Sequence, residues 1–235
     1  MRAAAVGDIH VRESHDRWLR DLLEDICESA DILLLCGDLT DHGLVTEAEV
    51  LGEQLVRARI PTFGVLGNHD YESGQQAEVV QVLQEAGMVL LDADCCHIDD
   101  VGIVGVKGFC GGFGQYLLAP WGEPAIKQFV YEAVEESMKL ERQLTQVHAE
   151  RTLVVMHYSP IHETVEGEPP EIIPFLGSSR LAEPIDRFPV DAVFHGHAHY
   201  GMPVGCTPGG RTVYNCALPL MRRMSPDRPF VTIDV

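Results

Sequence analysis

Five short polar blocks, each coming directly after an apolar run, constrain the fold of this chain most strongly. Each run has the length and the aliphatic composition of a buried β-strand. The predicted strands are Ala3–Val6, Ile32–Cys36, Phe63–Leu66, Leu153–Met156 and Ala192–Phe194. The blocks that follow them are Asp8-Ile9-His10, Gly37-Asp38-Leu39-Thr40-Asp41, Gly67-Asn68-His69-Asp70, Met156-His157-Tyr158-Ser159-Pro160 and Gly196-His197-Ala198-His199. Because ligands bind open α/β sheets where the strands end, the five blocks are expected to meet at one rim.

The segments between these strands predict an α/β fold. Helical spacing and capping signals predict helices at about Asp16–Ser29, from a capping box at Thr46–Glu49 to Arg59, and at Gln75–Ala86. This β-α-β-α-β-α order indicates a parallel sheet covered by helices. Further along, the pattern predicts the strands Met88–Leu91, Cys95–Ile98, Gly102–Val106, Met202–Cys206, Thr212–Asn215 and Phe230–Val235, and helices at about 124–149 and 179–188. A single α/β domain over residues 1–235 with two packed sheets accounts for this order.

The composition narrows the range of partners and compartments. With 17 Lys and Arg against 36 Asp and Glu, the net charge is −19, which argues against a nucleic-acid polymer as the partner. No apolar stretch approaches the ~20 residues that a membrane span needs, so no membrane partner is expected. The seven cysteines form no C-x-x-C pair and are odd in number. Free thiols in a reducing compartment, the cytoplasm, are therefore expected.

The side chains of the five blocks are of the kinds that hold divalent metal ions. Carboxylate, amide and imidazole donors without thiolate suit Mn²⁺, Fe or Zn²⁺, and we favour manganese. Two such ions about 3.5–4 Å apart can bridge a hydroxide and clamp the oxygens of a phosphoester. Asp38 follows a glycine that permits a sharp turn, so it is well placed to bridge them. The pairs Asp8/His10 and His197/His199 are each spaced by two residues, which in extended backbone would direct both members to one side.

In order and in spacing, the five blocks resemble the D-x-H, G-D-x-x-D, G-N-H-D, H and G-H-x-H motifs of the calcineurin-like metallophosphoesterases. The resemblance implies an αββα sandwich of two mixed sheets flanked by helices. It also implies two metal sites, one formed by Asp8, His10, Asp38 and His199, and the other by Asp38, Asn68, His157 and His197. His69 corresponds to the histidine that contacts the phosphate or protonates the leaving oxygen. Asp70 corresponds to the carboxylate that orients this histidine.

Three further polar residues are candidates for contact with the substrate or for support of the metal ligands. Asp41 has two alternative roles, which are to form a turn or helix cap and to support a metal ligand. His42 is expected in a solvated loop, although it is near enough in sequence to reach a substrate. Two positions are open for His195, which are burial in the core and a place in the wall of the substrate pocket. His162 is expected in a solvated loop, with contact to the substrate as the alternative, and structural roles are expected for His15, His97 and His148.

Two long loops adjoin the blocks and are expected to select the substrate. Residues 107–124 are rich in glycine and aromatic residues, and residues 159–177 are rich in proline, glycine and glutamate. Long loops without secondary structure in a compact domain are often functional. We expect Phe113, Tyr116 and Trp121 to pack in the core, with stacking on a nucleobase as the alternative.

The sequence therefore predicts a metal-dependent hydrolase that cleaves a small phosphodiester or nucleotide-like phosphoester through a metal-bridging hydroxide. Two alternatives belong to other classes. A non-catalytic scaffold would be expected to lack His69 or a histidine ligand, and all of them are present. A nuclease subunit of a DNA-repair complex would need a basic surface facing the DNA, and this acidic chain carries only a small cluster of arginines near Arg222.

Overall fold

The computed structural model describes residues 1–14, 17–92 and 95–235 and contains two β-sheets. The strands are β1 Arg2–Val6, β2 Ile32–Cys36, β3 Thr62–Val65, β4 Val89–Leu90, β5 Cys96–Ile98, β6 Val101–Val106, β7 Arg151–Met156, β8 Ala192–His195, β9 Val204–Cys206, β10 Thr212–Asn215 and β11 Val231–Asp234. The helices are α1 Arg17–Ser29, α2 Val45–Ala58, α3 Gln76–Glu85, α4 Pro124–Gln146, α5 Ala182–Arg187 and α6 Leu218–Met224. His15 and the predicted first residue of α1, Asp16, lie outside the described residues.

The first sheet has the strand order β11-β1-β2-β3-β4, with only β11 antiparallel to its neighbour. Along β2, Leu33 and Leu35 pack beneath α1, α2 and α3, whereas Ile32 and Leu34 pack against the second sheet. Both faces of the sheet are therefore covered. This explains why β2 is an uninterrupted apolar run rather than an alternation of apolar and polar residues.

The second sheet has the order β5-β6-β7-β8-β10-β9, with parallel strands in its centre and an antiparallel strand at each edge. Ile103 and Leu153 face the first sheet. Val104 and Val154 face the opposite way and pack with residues of α4 and α5. Helices thus cover the outer faces of two mixed sheets that pack together, and the predicted αββα sandwich is confirmed.

The packing of the two sheets brings the ends of their central strands to one rim. The clearest link is between β2 and β7, where the Nδ1 atom of His157 lies 3.0 Å from the carbonyl oxygen of Cys36. Because β1, β2 and β3 are parallel in one sheet and β7 and β8 are parallel in the other, the blocks that follow these five strands emerge at neighbouring positions.

One prediction of local structure is wrong, and one helix lies outside the predicted elements. Helix α2 begins at Val45, so Thr46 is not its N-cap; its hydroxyl instead donates a hydrogen bond to Glu13 (2.8 Å). The carboxylate of Glu47 caps the helix by accepting from the backbone N–H groups of His42 (2.9 Å) and Leu44 (3.2 Å). Helix α6 was not predicted, although Pro219 in its first turn is a favourable position for proline.

The aromatic residues of the 107–124 loop also differ from expectation. Phe113 is buried, as predicted, but Tyr116 and Trp121 are 81% and 73% exposed. Core packing is therefore wrong for these two side chains. Among the described helices, none has the length and apolar character needed to span a bilayer.

Candidate metal centre

Tight backbone contacts join the loops that follow β1 and β2. The N–H group of Asp8 donates to the carbonyl of Gly37 (2.9 Å), and that of His10 donates to the carbonyl of Asp38 (3.1 Å). Gly37 has a φ of +81°, and a Cβ atom there would lie 2.6 Å from the Nδ1 atom of His157. Only glycine therefore allows the backbone to turn beneath this histidine and present Asp38 to the rim.

The predicted ligand residues do not occupy extended backbone. Of the six described non-glycine residues with positive φ, four are predicted ligands: Asp8, His10, Asp38 and His197, with φ between 43° and 69°. The expectation that Asp8/His10 and His197/His199 project together from extended strands is therefore wrong. Such left-handed conformations are unfavourable for residues with side chains and tend to cluster at functional sites. In this protein, the left-handed conformations occur in loops that reverse direction just beyond the strands, and they direct the ligand side chains towards the candidate metal centre.

The structure brings three predicted ligands into what we call the outer donor set, consisting of Asp8, His10 and His199. One ligand atom from each lies within 4.8 Å of the others. The Nε2 atom of His199 is 2.9 Å from Asp8 Oδ1, and the N–H group of His197 donates to both carboxylate oxygens of Asp8 at 2.9 Å. Asp8 is buried and is fixed by the loop that follows β8.

A second group, which we call the inner donor set, consists of Asp38, His157, His197 and Asn68. Ligand atoms of the first three residues lie within 4.8 Å of one another. The Nε2 atom of His157 lies 2.9 Å from the amide oxygen of Asn68 and 3.4 Å from Asp38 Oδ1. His197 Nε2 lies 3.1 Å from the carbonyl oxygen of Phe175, which leaves Nδ1 as its other ring donor. The two sets match the two groups of ligands that the family resemblance implies.

Asp38 links the two donor sets. Its Oδ2 atom lies 3.8 Å from His10 Nε2, while its Oδ1 atom faces His157. The backbone N–H group of His69 donates to Oδ1 at 2.9 Å and orients the carboxylate. Gly67 passes so close that a Cβ atom there would lie 2.1 Å from Oδ1. The glycines at 37 and 67 thus leave room for a carboxylate between the sets.

The bonding of His10 and His157 indicates that these donors fit divalent cations. Both ring nitrogens of His10 are buried and lack a hydrogen-bond partner among the described residues. When Nδ1 of His157 donates to Cys36, Nε2 carries a lone pair that faces the oxygen atoms of Asn68 and Asp38. Acceptor atoms this close together are stabilised by a cation, and nitrogen and oxygen donors suit Mn²⁺, Fe or Zn²⁺.

Electrostatics keep Asp8, His197 and His10 in the forms that bind metal, whereas the hydrogen bond with Asp8 outweighs burial and raises the pKa of His199. Burial opposes ionisation of Asp8, but the hydrogen bond with His199 and the nearby His157 and His197 outweigh it and hold the pKa of Asp8 at about 2. Burial, assisted by the neighbouring His157, lowers the pKa of His197 to about 3. Burial also lowers the pKa of His10. Asp8 is therefore a carboxylate at neutral pH, and the rings of His197 and His10 are neutral.

His69 lies beside both sets. One of its ring nitrogens and the ligand atoms of His10 and Asp38 lie within 4.8 Å of one another. Its Nδ1 atom lies 2.7 Å from the carbonyl oxygen of Asp41, which orients the ring. Although burial favours the neutral ring, this hydrogen bond and the charges of Asp38 and Glu72 raise the pKa of His69. The imidazole can therefore hold a proton at the edge of the centre.

The predicted orienting role of Asp70 is wrong in its geometry. Asp70 is completely buried, and its carboxylate accepts hydrogen bonds from the N–H groups of Leu39, Thr40 and Gly67 and from the hydroxyl of Thr40. These bonds tie the loop after β2 to the loop after β3. The carboxylate faces the backbone beneath His69 because the turn at His69–Tyr71 directs successive side chains to different sides.

Of the three further candidates, Asp41 supports the centre, whereas His42 and His195 do not reach it. The carboxylate of Asp41 lies 3.5 Å from His10 Nδ1 and accepts from Arg12 at 2.8 Å. The side chain of His42 is 58% exposed and lies near Glu72. His195 is fully buried, 2.8 Å from the hydroxyl of Thr164, and burial lowers its pKa to about 4.

Sequence reasoning missed several groups that position the predicted ligands. The carbonyl oxygens of Cys36, Asp41 and Phe175 orient His157, His69 and His197, respectively. Every residue has a carbonyl, so no sequence signal identifies these three. The hydroxyl of Thr40, which donates to Asp70, belongs to one of the five blocks and was the one available signal.

Comparisons with known proteins agree with the geometry. The model of the calcineurin-like phosphoesterase family matches residues 1–201. A 3',5'-cyclic-nucleotide phosphodiesterase of Nostoc sp. is 25% identical over 211 residues, which cover 83% of this chain and 70% of that protein. A probable cyclic nucleotide phosphodiesterase of Vesicomyosocius okutanii is 24% identical over 178 residues, covering 72% of this chain and 62% of that protein.

Solved structures share the fold at low sequence identity. A phosphopantetheinyl hydrolase from Mycobacterium tuberculosis superimposes with a TM-score of 0.71 at 16% identity, covering 98% of this chain and 95% of that one. A putative 5'-nucleotidase from Staphylococcus aureus gives a TM-score of 0.56 at 17% identity, covering 91% of this chain and 48% of that one. At these identities, the likeness establishes the αββα architecture.

Proposed function

The chain belongs to the calcineurin-like phosphoesterase family, and we propose that it is a dinuclear metal-dependent enzyme that hydrolyses a small phosphodiester or nucleotide-like phosphoester. The observation that carries this proposal is the position of Asp38 between the donor sets, 3.4 Å from His157 Nε2 and 3.8 Å from His10 Nε2. One carboxylate within reach of both sets can hold two ions at the short separation that phosphoester hydrolysis uses.

In this proposal, the outer donor set and Asp38 hold one ion, and the inner donor set holds the other. We favour manganese as the metal, and a donor set without thiolate also suits Fe and Zn²⁺. When bound, the two ions lower the pKa of a water molecule towards neutrality and offset the charge of the phosphoryl oxygens. The chain contributes the fixed geometry. Asp8 is held by the N–H group of His197, Asp38 by that of His69, and His157 by the carbonyl of Cys36.

We assign His69 the role of general acid towards the leaving oxygen. The carbonyl of Asp41 accepts from Nδ1, which leaves Nε2 as the ring atom that can release a proton. The raised pKa of His69 favours the protonated ring at the start of the reaction. A general acid of this kind typically contributes about 10²–10⁴-fold to the rate.

The substrate is proposed to be a small diester or nucleotide rather than a nucleic-acid polymer. The net charge of −19 disfavours a long polyanion, whose affinity comes mainly from lysine and arginine contacts. The names of the two curated relatives favour a diester over a monoester. We further propose that residues 1–235 act as one domain. The buried free thiols of Cys36, Cys110 and Cys216 support a reducing compartment, and we propose the cytoplasm.

A substrate screen on the metal-loaded protein tests this proposal. The substrates are p-nitrophenyl phosphate, bis(p-nitrophenyl) phosphate, 3',5'-cyclic nucleotides, nucleotide-sugars and long duplex DNA, each assayed with Mn²⁺, after chelation, and after Mn²⁺ is restored. The proposal predicts reversible, metal-dependent hydrolysis of at least one small diester or nucleotide. Salt-sensitive cleavage of DNA with the small substrates untouched would instead support a nuclease, and no hydrolysis of any substrate would support a scaffold.

A further inference from the structure

A cavity of about 470 Å³ lies next to the metal centre, between α3 and the ends of β3 and β6. Its apolar wall includes Leu66, Val80 and Leu91. Its described lining contains no member of either donor set. Small-molecule sites typically have volumes of about 300–1,000 Å³ and combine apolar walls with a few polar groups. The cavity meets both conditions, because Lys107, Gln76, Gln84 and Asp92 also line it.

Lys107 places a cation in this wall without a neutralising partner. Its Nζ atom lies 5.0 Å from the ring centre of Phe109, 5.2 Å from Tyr158 and 5.6 Å from Tyr71. Its hydrogen bond goes to the carbonyl of the next residue, Gly108 (3.0 Å), and it forms no ion pair within the described residues. The aromatic rings shield the ammonium from water but carry no negative charge to neutralise it.

The acidic groups nearest to Lys107 already have another partner. Glu136 and Asp92 lie 2.7 Å and 3.4 Å from the ammonium of Lys139, and Glu136 also accepts from the N–H group of Gly108 (2.8 Å). Burial lowers the pKa of Lys107, whereas hydrogen bonding to Glu136 raises that of Lys139 despite partial burial. Of these two neighbouring lysines, Lys107 is the one available to an external anion.

An unpaired acceptor lies in the same wall. The side-chain oxygen of Gln76, at the start of α3, is buried and has no hydrogen-bond partner among the described residues. Buried polar atoms in folded proteins are almost always hydrogen-bonded, so each exception requires an explanation. Gln76 also lines the cavity, so rotation of its side chain would bring this oxygen to a donor on a bound ligand.

We propose that this cavity binds a small organic anion with an apolar body, its negative group on Lys107 and a hydroxyl or amide donor on Gln76. The site lies outside the proposed catalytic function and does not require turnover. Leu66 and Tyr71 line the cavity and flank the segment that carries Asn68 and His69. A bound ligand therefore contacts both ends of the segment that supplies one metal donor and the general acid.

Calorimetric titration of the full-length, Mn²⁺-loaded protein tests the proposal, in a buffer without phosphate, which would compete for the ammonium of Lys107. The probe is 4-hydroxyphenylacetate, which has an anion, an aromatic body and a hydroxyl donor. Its neutral isostere, 4-hydroxyphenylacetamide, is the control ligand. A charge-assisted hydrogen bond to the ammonium is expected to favour the acid by about tenfold or more.

Three variants locate the binding. Lys107→Met should abolish the preference for the acid, whereas Lys127→Met, which removes an equal charge from an exposed position on α4, should retain it. Ala77→Trp, an exposed position on the cavity wall, should block both ligands and keeps the test valid if Lys107→Met fails to fold. Three results would overturn the proposal. They are equal binding of both ligands, an unchanged preference for the acid in Lys107→Met, and no binding at about 10 mM ligand, a concentration at which a Kd of about 1 mM would be evident. Because the readout is binding, its failure is separate from failure of the proposed phosphoesterase activity.

Discussion

The inner and outer donor sets differ in how the protein holds them. In the inner set, the side chain of His157 is 0% exposed, and both of its ring nitrogens lie within 3.0 Å of protein oxygens. In the outer set, the side chains of His10 and His199 are 19% and 34% exposed. Neither ring nitrogen of His10 has a hydrogen-bond partner among the described residues.

This difference indicates that the two sites are assembled in different ways. The hydrogen bond from His157 Nδ1 to the carbonyl of Cys36 positions the inner histidine without an ion. His10 has no such hydrogen bond and only lies 3.5 Å from the carboxylate of Asp41, so we expect a bound cation to complete the outer site. Because groups that orient metal ligands strongly influence affinity, we expect the inner ion to bind more tightly than the outer ion.

The largest effect is expected when the link between the sets is removed. Asp38→Asn replaces a carboxylate that reaches both sets with a neutral amide, so metal content should fall at both sites. Loss of a group that merely orients a ligand costs about 10–100-fold, so loss of a shared ligand from two sites should lower kcat/KM by roughly 10⁴-fold. Asp25→Asn, at an exposed position on α1, is the matched control. Retention of both ions and of activity in Asp38→Asn would refute the shared-ligand assignment.

Substitution of His69 separates catalysis from metal binding. His69→Ala should retain both ions if His69 is the proposed proton donor and not a ligand, although one of its ring nitrogens lies within 4.8 Å of ligand atoms of His10 and Asp38. kcat should fall by about 10²–10⁴-fold for a substrate with a poor leaving group and by less for a p-nitrophenyl ester, which hardly needs a proton. Metal content and kcat are measured on the same preparations. Loss of an ion, or an equal fall in kcat for both leaving groups, would contradict the assignment as general acid.

A pair of histidine variants tests the contrast between the sets directly. His157→Ala leaves the Cys36 carbonyl without its donor and should lower the free energy of unfolding of the metal-free protein by about 2 kcal/mol. His10→Ala removes two unpaired nitrogens, so the metal-free protein should change by less than about 1 kcal/mol. Urea unfolding after chelation measures both. If His10→Ala were the more destabilising change, the contrast between a preformed and an ion-completed site would be lost.

The smallest effect on turnover is expected for Asp70→Asn. An amide cannot accept all the hydrogen bonds from Leu39, Thr40 and Gly67, so the free energy of unfolding should fall by about 1–3 kcal/mol. At saturating metal, kcat should fall by less than about tenfold, because the effect is transmitted through the positions of the two loops. A loss of kcat equal to that of His69→Ala, with stability unchanged, would instead mean that Asp70 acts on His69.

Much of the fold and the members of the donor sets were accessible from the sequence because their signals are local. The predicted runs Ala3–Val6, Ile32–Cys36 and Leu153–Met156 are apolar over their whole length, and each is followed by polar residues of metal-binding type. The parallel order then brings these residues to one rim. The structure places Asp8, His10, Asp38, Asn68, His157, His197 and His199 in two adjacent groups, as the motifs imply.

The remaining features depend on contacts between distant segments or on the backbone. Asp70 bonds to Leu39 and Thr40, 31 and 30 residues earlier, and nothing in the G-N-H-D motif distinguishes this from a bond to the adjacent His69. The left-handed conformations of Asp8 and His10 follow from the turn that each loop makes over the sheets. A spacing of two residues could not reveal them.

The central claim is that one chain holds two metal ions, and elemental analysis tests it most directly. The protein is saturated with Mn²⁺, freed of unbound metal by gel filtration and measured for metal and protein together. We expect two ions per chain in the wild-type protein, with the outer ion lost first under mild chelation. A content of one ion or fewer per chain in fully loaded protein would contradict it.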